Sequence, residues 1–491
     1  MFSFLISLVL LVAGYFLYGK FVERVFSPEP ERKTPAVAQA DGVDFIKMPS
    51  WKVFMIQFLN IAGTGPIFGA IMGAKFGPAA YLWIVFGCIF AGAVHDYFTG
   101  MLSVRNGGAG LPELIGKYLG RGTRAVLLVF TVFLLVMVGS VFVYSPASIL
   151  GDMTSGWFGG SRDTAILVWL GIVFAYFLVA TLMPVDKIIG KIYPLFAFAL
   201  IFMAFALMIG LVVKWPAIPE VWDGLGNRTG NAATPIFPCL FITIACGAIS
   251  GFHATQSPLM ARCMANEKEG RPIFYGAMIT EGIVALIWAA VSSYFFFGGG
   301  QAELGAEGIG DAPRIVNIVS KGWLGIAGGI LAILGVVAAP ITSGDTALRS
   351  ARLIIADAFK MGQRKIWKRL IISIPLFLIT GLLVWFSIQD NEGFDLIWRY
   401  FGWSNQTIAT FMLWAITVYL VQARGRQWYL ITLLPACFMT AVVTTYICIA
   451  KIGFNIPASL SPWIGLGTFC LSAVLFYLWW FRRGSKHPQN Q

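Results

Sequence analysis

Thirteen apolar runs, each long enough to cross a bilayer, constrain this chain more than any other feature. They fall at about 1–18, 53–73, 78–101, 125–147, 163–183, 190–213, 235–256, 274–297, 323–345, 369–388, 396–422, 428–450 and 460–481. A hydrocarbon core of about 30 Å takes roughly 20 apolar helical residues. In lipid each backbone polar group must be satisfied within its own segment or barrel, so runs of this length fold as helices. Composition agrees: the 491 residues are 58% hydrophobic and 12% charged, with a mean hydropathy of +0.78, whereas soluble domains carry about a quarter charged residues. The expected fold class is an all-α polytopic membrane protein of about 13 transmembrane helices.

The first run has neither a basic leader nor an A-x-A site before Lys20, and so reads as a retained helix and not a cleaved signal peptide. The net charge of +12 comes from lysines and arginines between the apolar runs, most of them after odd-numbered runs. The positive-inside rule then places the N-terminus outside and the C-terminus, with Arg482, Arg483 and Lys486, in the cytoplasm. Nucleic acid is not needed to explain this charge. The most basic segment, Arg349 to Arg369, contains Arg352, Lys360, Arg364, Lys365 and Lys368 and reads as an interfacial helix facing anionic lipid. The polar, proline-rich segment from Phe26 to Pro49 reads as irregular and without recognisable chemistry.

Two apolar runs are interrupted at their middles. Run two contains NIAGTGPIFGAIMG from Asn60, with Gly63, Thr64, Gly65 and Pro66 at the interruption, and run seven contains IACGAISGFHATQSPLMAR from Ile244, with Gly247, Gly251 and Pro258 around His253, Thr255, Gln256 and Ser257. Glycine costs about 1 kcal/mol and proline about 3 relative to alanine inside a helix. The two interruptions lie five runs apart, an odd number, so runs two to six would recur inverted as runs seven to eleven. Matching broken helices in inverted halves point to a secondary transporter's binding site, where half-helix ends and unwound carbonyls hold anions and cations. A second reading of Gly65, Gly69 and Gly73 is a close-packing face for another helix, and both can hold together.

Ionisable residues at membrane depth are costly and mark function by default. Asp96, beside His95, lies near the end of run three, where an interfacial pair with Arg105 competes with a coupling role. Glu281 lies about two turns inside run eight and is the best candidate for a protonatable carboxylate. Run nine ends in AAPITSGDTALRS, where Thr342, Ser343 and Asp345 suit a hard cation such as sodium, or form a helix terminus with Asp345 paired to Arg349. In run eleven Ser404, Asn405, Gln406 and Thr407 cannot all face lipid; they bind substrate or glue helices.

These motifs resemble the carbon starvation protein A (CstA) family of bacterial inner-membrane transporters. The resemblance is carried by NIAGTGPIFGAIMGAKFGP at 60–78, AGAVHDY at 91–97, ACGAISGFHA at 245–254, YGAMITEG at 275–282, ITSGDTALRSARLIIAD at 341–357 and FGWSNQ at 401–406. It implies cation-coupled uptake of pyruvate or short peptides during carbon limitation, on a five-plus-five inverted repeat similar to the leucine transporter. The expected organisation is an extra helix and cytoplasmic linker at 1–52, repeats at 53–213 and 235–422, and two further helices with a cytoplasmic tail at 428–491. Under the resemblance, Thr342 and Ser343 match the hydroxyl pair that forms a sodium site in some members of that fold.

The expected mechanism is alternating access in the bacterial cytoplasmic membrane. Substrate would sit on Gly63, Thr64, Gly65 and Pro66, Ser250, Gly251, His253, Thr255 and Gln256, with Asn405 and Gln406. The coupling cation, a proton or sodium, would involve Thr342, Ser343, Asp345, Glu281 and Asp96. No cofactor, no resident metal and no catalytic residue is expected. Partners are a small-molecule substrate and the bilayer, and the sequence leaves the oligomeric state open. No H-E-x-x-H or G-x-S-x-G occurs, and His95, His253 and His487 are the only histidines, which disfavours an intramembrane enzyme. An uncoupled facilitator of the same fold is the main rival.

Overall fold

The computed structural model describes residues 1–182, 189–309, 311–363, 365–389, 393–423 and 427–484. Arg364, Lys486 and His487 lie outside the described residues. The long helices are α1 (Phe2–Phe26), α2 (Ser50–Ile61), α3 (Gly65–Ala74), α4 (Ala79–Arg105), α5 (Arg121–Thr154), α6 (Arg162–Leu182), α7 (Ile189–Lys214), α8 (Ile236–Thr243), α9 (Gly251–Ala261) and α10 (Gly276–Phe297). They continue as α11 (Ala312–Leu331), α12 (Leu334–Ala358), α13 (Ile366–Gln389), α14 (Gly393–Ala423), α15 (Leu430–Ile449) and α16 (Ser461–Gly484). No strand occurs among the described residues.

Ten helices among the described residues are long and apolar enough to cross a membrane, and up to twelve spans result if each of two bent pairs counts as one. The pairs are α2–α3, bent by 47°, and α11–α12, bent by 56°. The α8–α9 pair is separated by the irregular stretch 244–250. One expected boundary moves. The apolar run 323–345 straddles the α11–α12 bend, so Thr342, Ser343 and Asp345 do not end a helix; they lie in one that continues to Ala358. Hydropathy registers composition and is blind to a change of direction.

Four of the helices form a frame with a second hydrophobic cluster beside the main core. α5, α6, α12 and α13 contact one another and enclose a hydrophobic cluster of their own, which includes Val143, Ile166, Phe177, Leu348 and Phe377. This four-helix frame faces a bundle in which α9 packs on α2, α4 and α14, and α3 packs on α10.

The segment 26–49 holds one short helix, Pro35–Ala38, and is otherwise irregular. It nevertheless ties several elements together. The Glu29 N–H donates to Glu267 Oε2 at 2.7 Å, Met48 N–H donates to the Cys263 carbonyl at 3.1 Å, and Asp44 lies 3.9 Å from Arg352. Nor is there one interfacial helix over 349–369. Arg349 and Arg352 belong to α12 at 1% and 0% exposure, Arg369 is buried in α13, and Lys360 and Lys365 are exposed between or beside the helices.

Candidate site at the two helix breaks

Each break frees backbone groups that must find partners where no water reaches. At the first, Gly63 N–H turns to the Ile61 carbonyl at 3.0 Å. The Leu59 carbonyl, its ordinary helical acceptor, instead accepts from Ser343 Oγ on α12 at 3.0 Å. At the second, Ala248 N–H bonds the Ala245 carbonyl at 3.0 Å. The Ile244 carbonyl thereby freed accepts from Trp83 Nε1 at 2.8 Å. Asn405 Oδ1 accepts from Phe252 N–H at 2.6 Å and from Ser250 Oγ at 3.1 Å, so α14 caps the start of α9. Gln406 Nε2 donates to the Phe241 carbonyl at 2.9 Å. Asn405 and Gln406 thus brace the second break, and Ser404, Asn405 and Gln406 are all fully buried.

The two breaks touch each other. A Cβ on Gly65 would lie 2.4 Å from Cys246 Sγ, one on Gly69 2.8 Å from the Thr243 carbonyl oxygen, and one on Gly73 2.2 Å from an Ile244 side-chain carbon. The small-residue stripe of α3 therefore packs against the end of α8 while its first turn forms part of the break. Pro66 sits in that first turn, where its missing N–H costs nothing. Gly63 N–H is spent on the Ile61 carbonyl, and Thr64 and Gly65 stand at the start of α3. The polar run His253 to Ser257 lies in the first turns of α9 and not within the irregular stretch, and Pro258 lies inside the same helix without ending it.

Four titratable side chains, all fully buried, form a line at the centre of the bundle. Asp96 Oδ1 is 2.8 Å from His95 Nδ1, Asp96 Oδ2 is 2.9 Å from His253 Nδ1, and His253 Nε2 is 3.3 Å from Glu281 Oε2. One expectation changes here. Asp96 is not interfacial, since α4 runs on to Arg105, and Arg105 pairs with Glu267 at 3.0 Å. His253 has a carboxylate at each ring nitrogen, which makes it the link between Asp96 and Glu281. Sequence pattern could not join these residues, because they come from α4, α9 and α10.

The second polar group lies where bundle meets frame. Ser350 Oγ of α12 donates to the Thr255 carbonyl at 3.2 Å, and Gln256 Nε2 lies 3.4 Å from Ser350 Oγ. Thr342 Oγ1 donates to the Ala339 carbonyl at 2.7 Å, and Tyr193 Oη donates to Asp345 Oδ2 at 2.8 Å. Buried beside these, both amide atoms of Asn60, Thr64 Oγ1, Gln57 Oε1 and Gln256 Oε1 have no hydrogen-bond partner among the described residues. Asn60 and Gln57 escaped the sequence reading; their position on the turns before the first break was the available signal. Beyond Thr255 and Ser350, a cavity of about 20 Å³ runs between α9 and α12 to the Arg262–Asp357 pair, whose charged atoms are 3.3 Å apart. Among the described residues, no three of His, Cys, Asp or Glu are arranged to hold a metal ion.

A family model described as carbon starvation protein CstA matches residues 1–172, 152–298 and 298–446. The chain is 48% identical over 336 residues to an uncharacterized membrane protein of Haemophilus influenzae, covering 60% of this chain and 91% of that one. It is 26% identical over 559 residues to the peptide transporter CstA of Campylobacter jejuni, covering 89% and 78%. Against the pyruvate/proton symporter BtsT of Escherichia coli it is 30% identical over 350 residues, covering 58% and 48%. Among solved structures, a mutant of the Eremococcus coleocola manganese transporter superposes with a TM-score of 0.55 at 13% identity, covering 89% of this chain and 97% of that one. A Na+-coupled sialic acid symporter in its outward-open state gives 0.53 at 15%, covering 96% of each. At these identities the structural likeness speaks to fold alone. The chain belongs to the carbon starvation protein CstA family and is a multi-pass transmembrane transporter.

Proposed function

We propose that the protein takes up a small carboxylate-bearing nutrient, pyruvate or a short peptide, across the bacterial cytoplasmic membrane by cation-coupled alternating access. The observation that carries this reading is the pair of helix breaks packed against each other, with partnerless buried polar atoms of Gln57, Asn60, Thr64 and Gln256 beside them. The substrate carboxylate would accept from the Thr64 and Gly65 amides, where the α3 dipole favours an anion. Asn60, Thr64 and Gln256 would take its remaining polar groups. The names of the relatives, peptide transporter and pyruvate/proton symporter, support the substrate range.

In this reading the chain crosses the membrane thirteen times with its N-terminus outside. α2 to α7 and α8 to α14, without α11, form inverted five-span repeats. The frame and the bundle then rock about the shared site, held at present by Ser343 to Leu59 and Ser350 to Thr255. A sodium ion at Thr342 and Ser343 would have to replace the Ser343 to Leu59 bond. Uptake serves growth when preferred carbon is scarce.

Purified protein in liposomes is expected to accumulate labelled pyruvate or a labelled dipeptide above the external concentration under an imposed proton or sodium gradient. Equilibration without accumulation under both would replace the symporter with a facilitator. Uptake of neither substrate would reject the proposed cargo.

A further inference from the structure

We infer that His253 and Glu281 share a single proton, and that the state of this proton couples the ion gradient to movement of α9; this rests on the transport reading above. An ionised carboxylate only accepts hydrogen bonds, and the two oxygens of Asp96 face His95 Nδ1 at 2.8 Å and His253 Nδ1 at 2.9 Å. Both Nδ1 atoms must therefore carry hydrogen, which fixes the tautomer of each neutral ring and turns Nε2 of His253 toward Glu281. That Nε2 lies 3.3 Å from Glu281 Oε2. If neither atom carried a proton, a ring lone pair would face a carboxylate in a fully buried site, with no other hydrogen-bond partner for Nε2 or for either Glu281 oxygen. One proton between them, on Nε2 as imidazolium or on Oε2 as carboxylic acid, removes that conflict.

With Asp96 ionised and both rings neutral, the line carries one net negative charge while the shared proton is present and two once it has left. Uncompensated charge in such a site is expensive, so losing this proton must change the structure. From the elements packed on α10, the titratable groups reaching Glu281 are His253 of α9 and Asp96 and Cys88 of α4, with His95 beyond Asp96 and the Cys246 thiol beside His253.

The consequence follows from where these residues sit. His253 is on α9, where the nearby Thr255 and Gln256 hold Ser350 of the frame while Ser257 accepts from Gln57 of α2. Glu281 is on α10, within the bundle. Departure of the shared proton leaves repulsion between α9 and α10 and frees α9 to leave the frame, along the cavity that ends at Arg262 and Asp357. The proton moves only between His253 Nε2 or Glu281 Oε2 and water admitted when the bundle opens; no other reactant is required.

The test compares wild type with Glu281→Gln, which keeps an amide N–H for His253 Nε2 but cannot release a proton. In liposomes, accumulation of the transported substrate, pyruvate or dipeptide, under a proton gradient should fall at least tenfold. Exchange of labelled for unlabelled substrate without a gradient should fall less than threefold. Proton-driven accumulation by Glu281→Gln within twofold of wild type would overturn the assignment. Infrared difference spectra of purified protein across a pH titration give a readout independent of cargo. A protonated-carboxyl or imidazolium band lost in Glu281→Gln supports the shared proton, and identical spectra reject it. If wild type exchanges neither substrate, the cargo reading falls and the infrared result alone decides the proton.

Discussion

Replacing Gly92 with leucine is expected to abolish recovery of folded protein, and replacing it with alanine to lower the melting temperature sharply. Gly92 lies on α4 against the second helix break, and a Cβ built on it would stand 2.1 Å from the Ala248 carbonyl oxygen and 3.0 Å from its carbon. The opposing atoms are backbone in the irregular stretch between α8 and α9, so no side chain can swing aside. Overpacking a filled core costs about 1–3 kcal/mol when neighbours can adjust, and here they cannot without unseating the break. Fluorescence-detected size exclusion and thermal unfolding in detergent measure the effect. A Gly92→Leu variant that is monodisperse with the wild-type melting temperature would show that α4 and the break are not in contact.

Asp96→Ala is expected to have the next largest effect. It removes the one acceptor that serves both His95 Nδ1 and His253 Nδ1, stranding two buried N–H groups and unbalancing the charge of the line. Breaking a buried ionic set by deleting one member costs about 3–5 kcal/mol. A large fall in melting temperature and loss of uptake should follow together. Asp96→Asn separates the two effects. It keeps the shape and one acceptor oxygen but presents an amide to one ring, forcing that ring into its other tautomer. Folded protein with uptake reduced at least tenfold is the expected outcome. Wild-type uptake by Asp96→Asn would mean that the tautomers of His95 and His253 do not matter to transport.

The sequence made the breaks legible because glycine and proline in an apolar run have a strong local meaning. Gly63, Gly65 and Pro66 mark the first break without any tertiary information, and Gly247 with Gly251 mark the second. The partners of a polar residue are a different matter. His253 reads equally as a substrate ligand or as part of a charge line until α4 and α10 are placed beside it. Asn405 and Gln406 were visible as buried polar residues, yet their use as caps and braces for α8 and α9 depends on the carbonyls that the break frees. Arg349 and Arg352 misled because a cluster of positive charges usually marks an interface, whereas here α12 continues inward and takes both with it. The segment 26–49 looked featureless because its contribution is made by single residues, Glu29 and Asp44, meeting Glu267 and Arg352 far away in sequence.

In the proposed transport cycle, frame and bundle separate on the side where α9 meets α12. Cysteines at Arg262→Cys and Asp357→Cys, in a background with the seven native cysteines replaced, allow these helices to be joined by a reducible bis-maleimide. Uptake by the unlinked double variant, its loss on cross-linking and its return on reduction are the results predicted. Uptake that continues unchanged while the two helices are fully cross-linked would contradict the account.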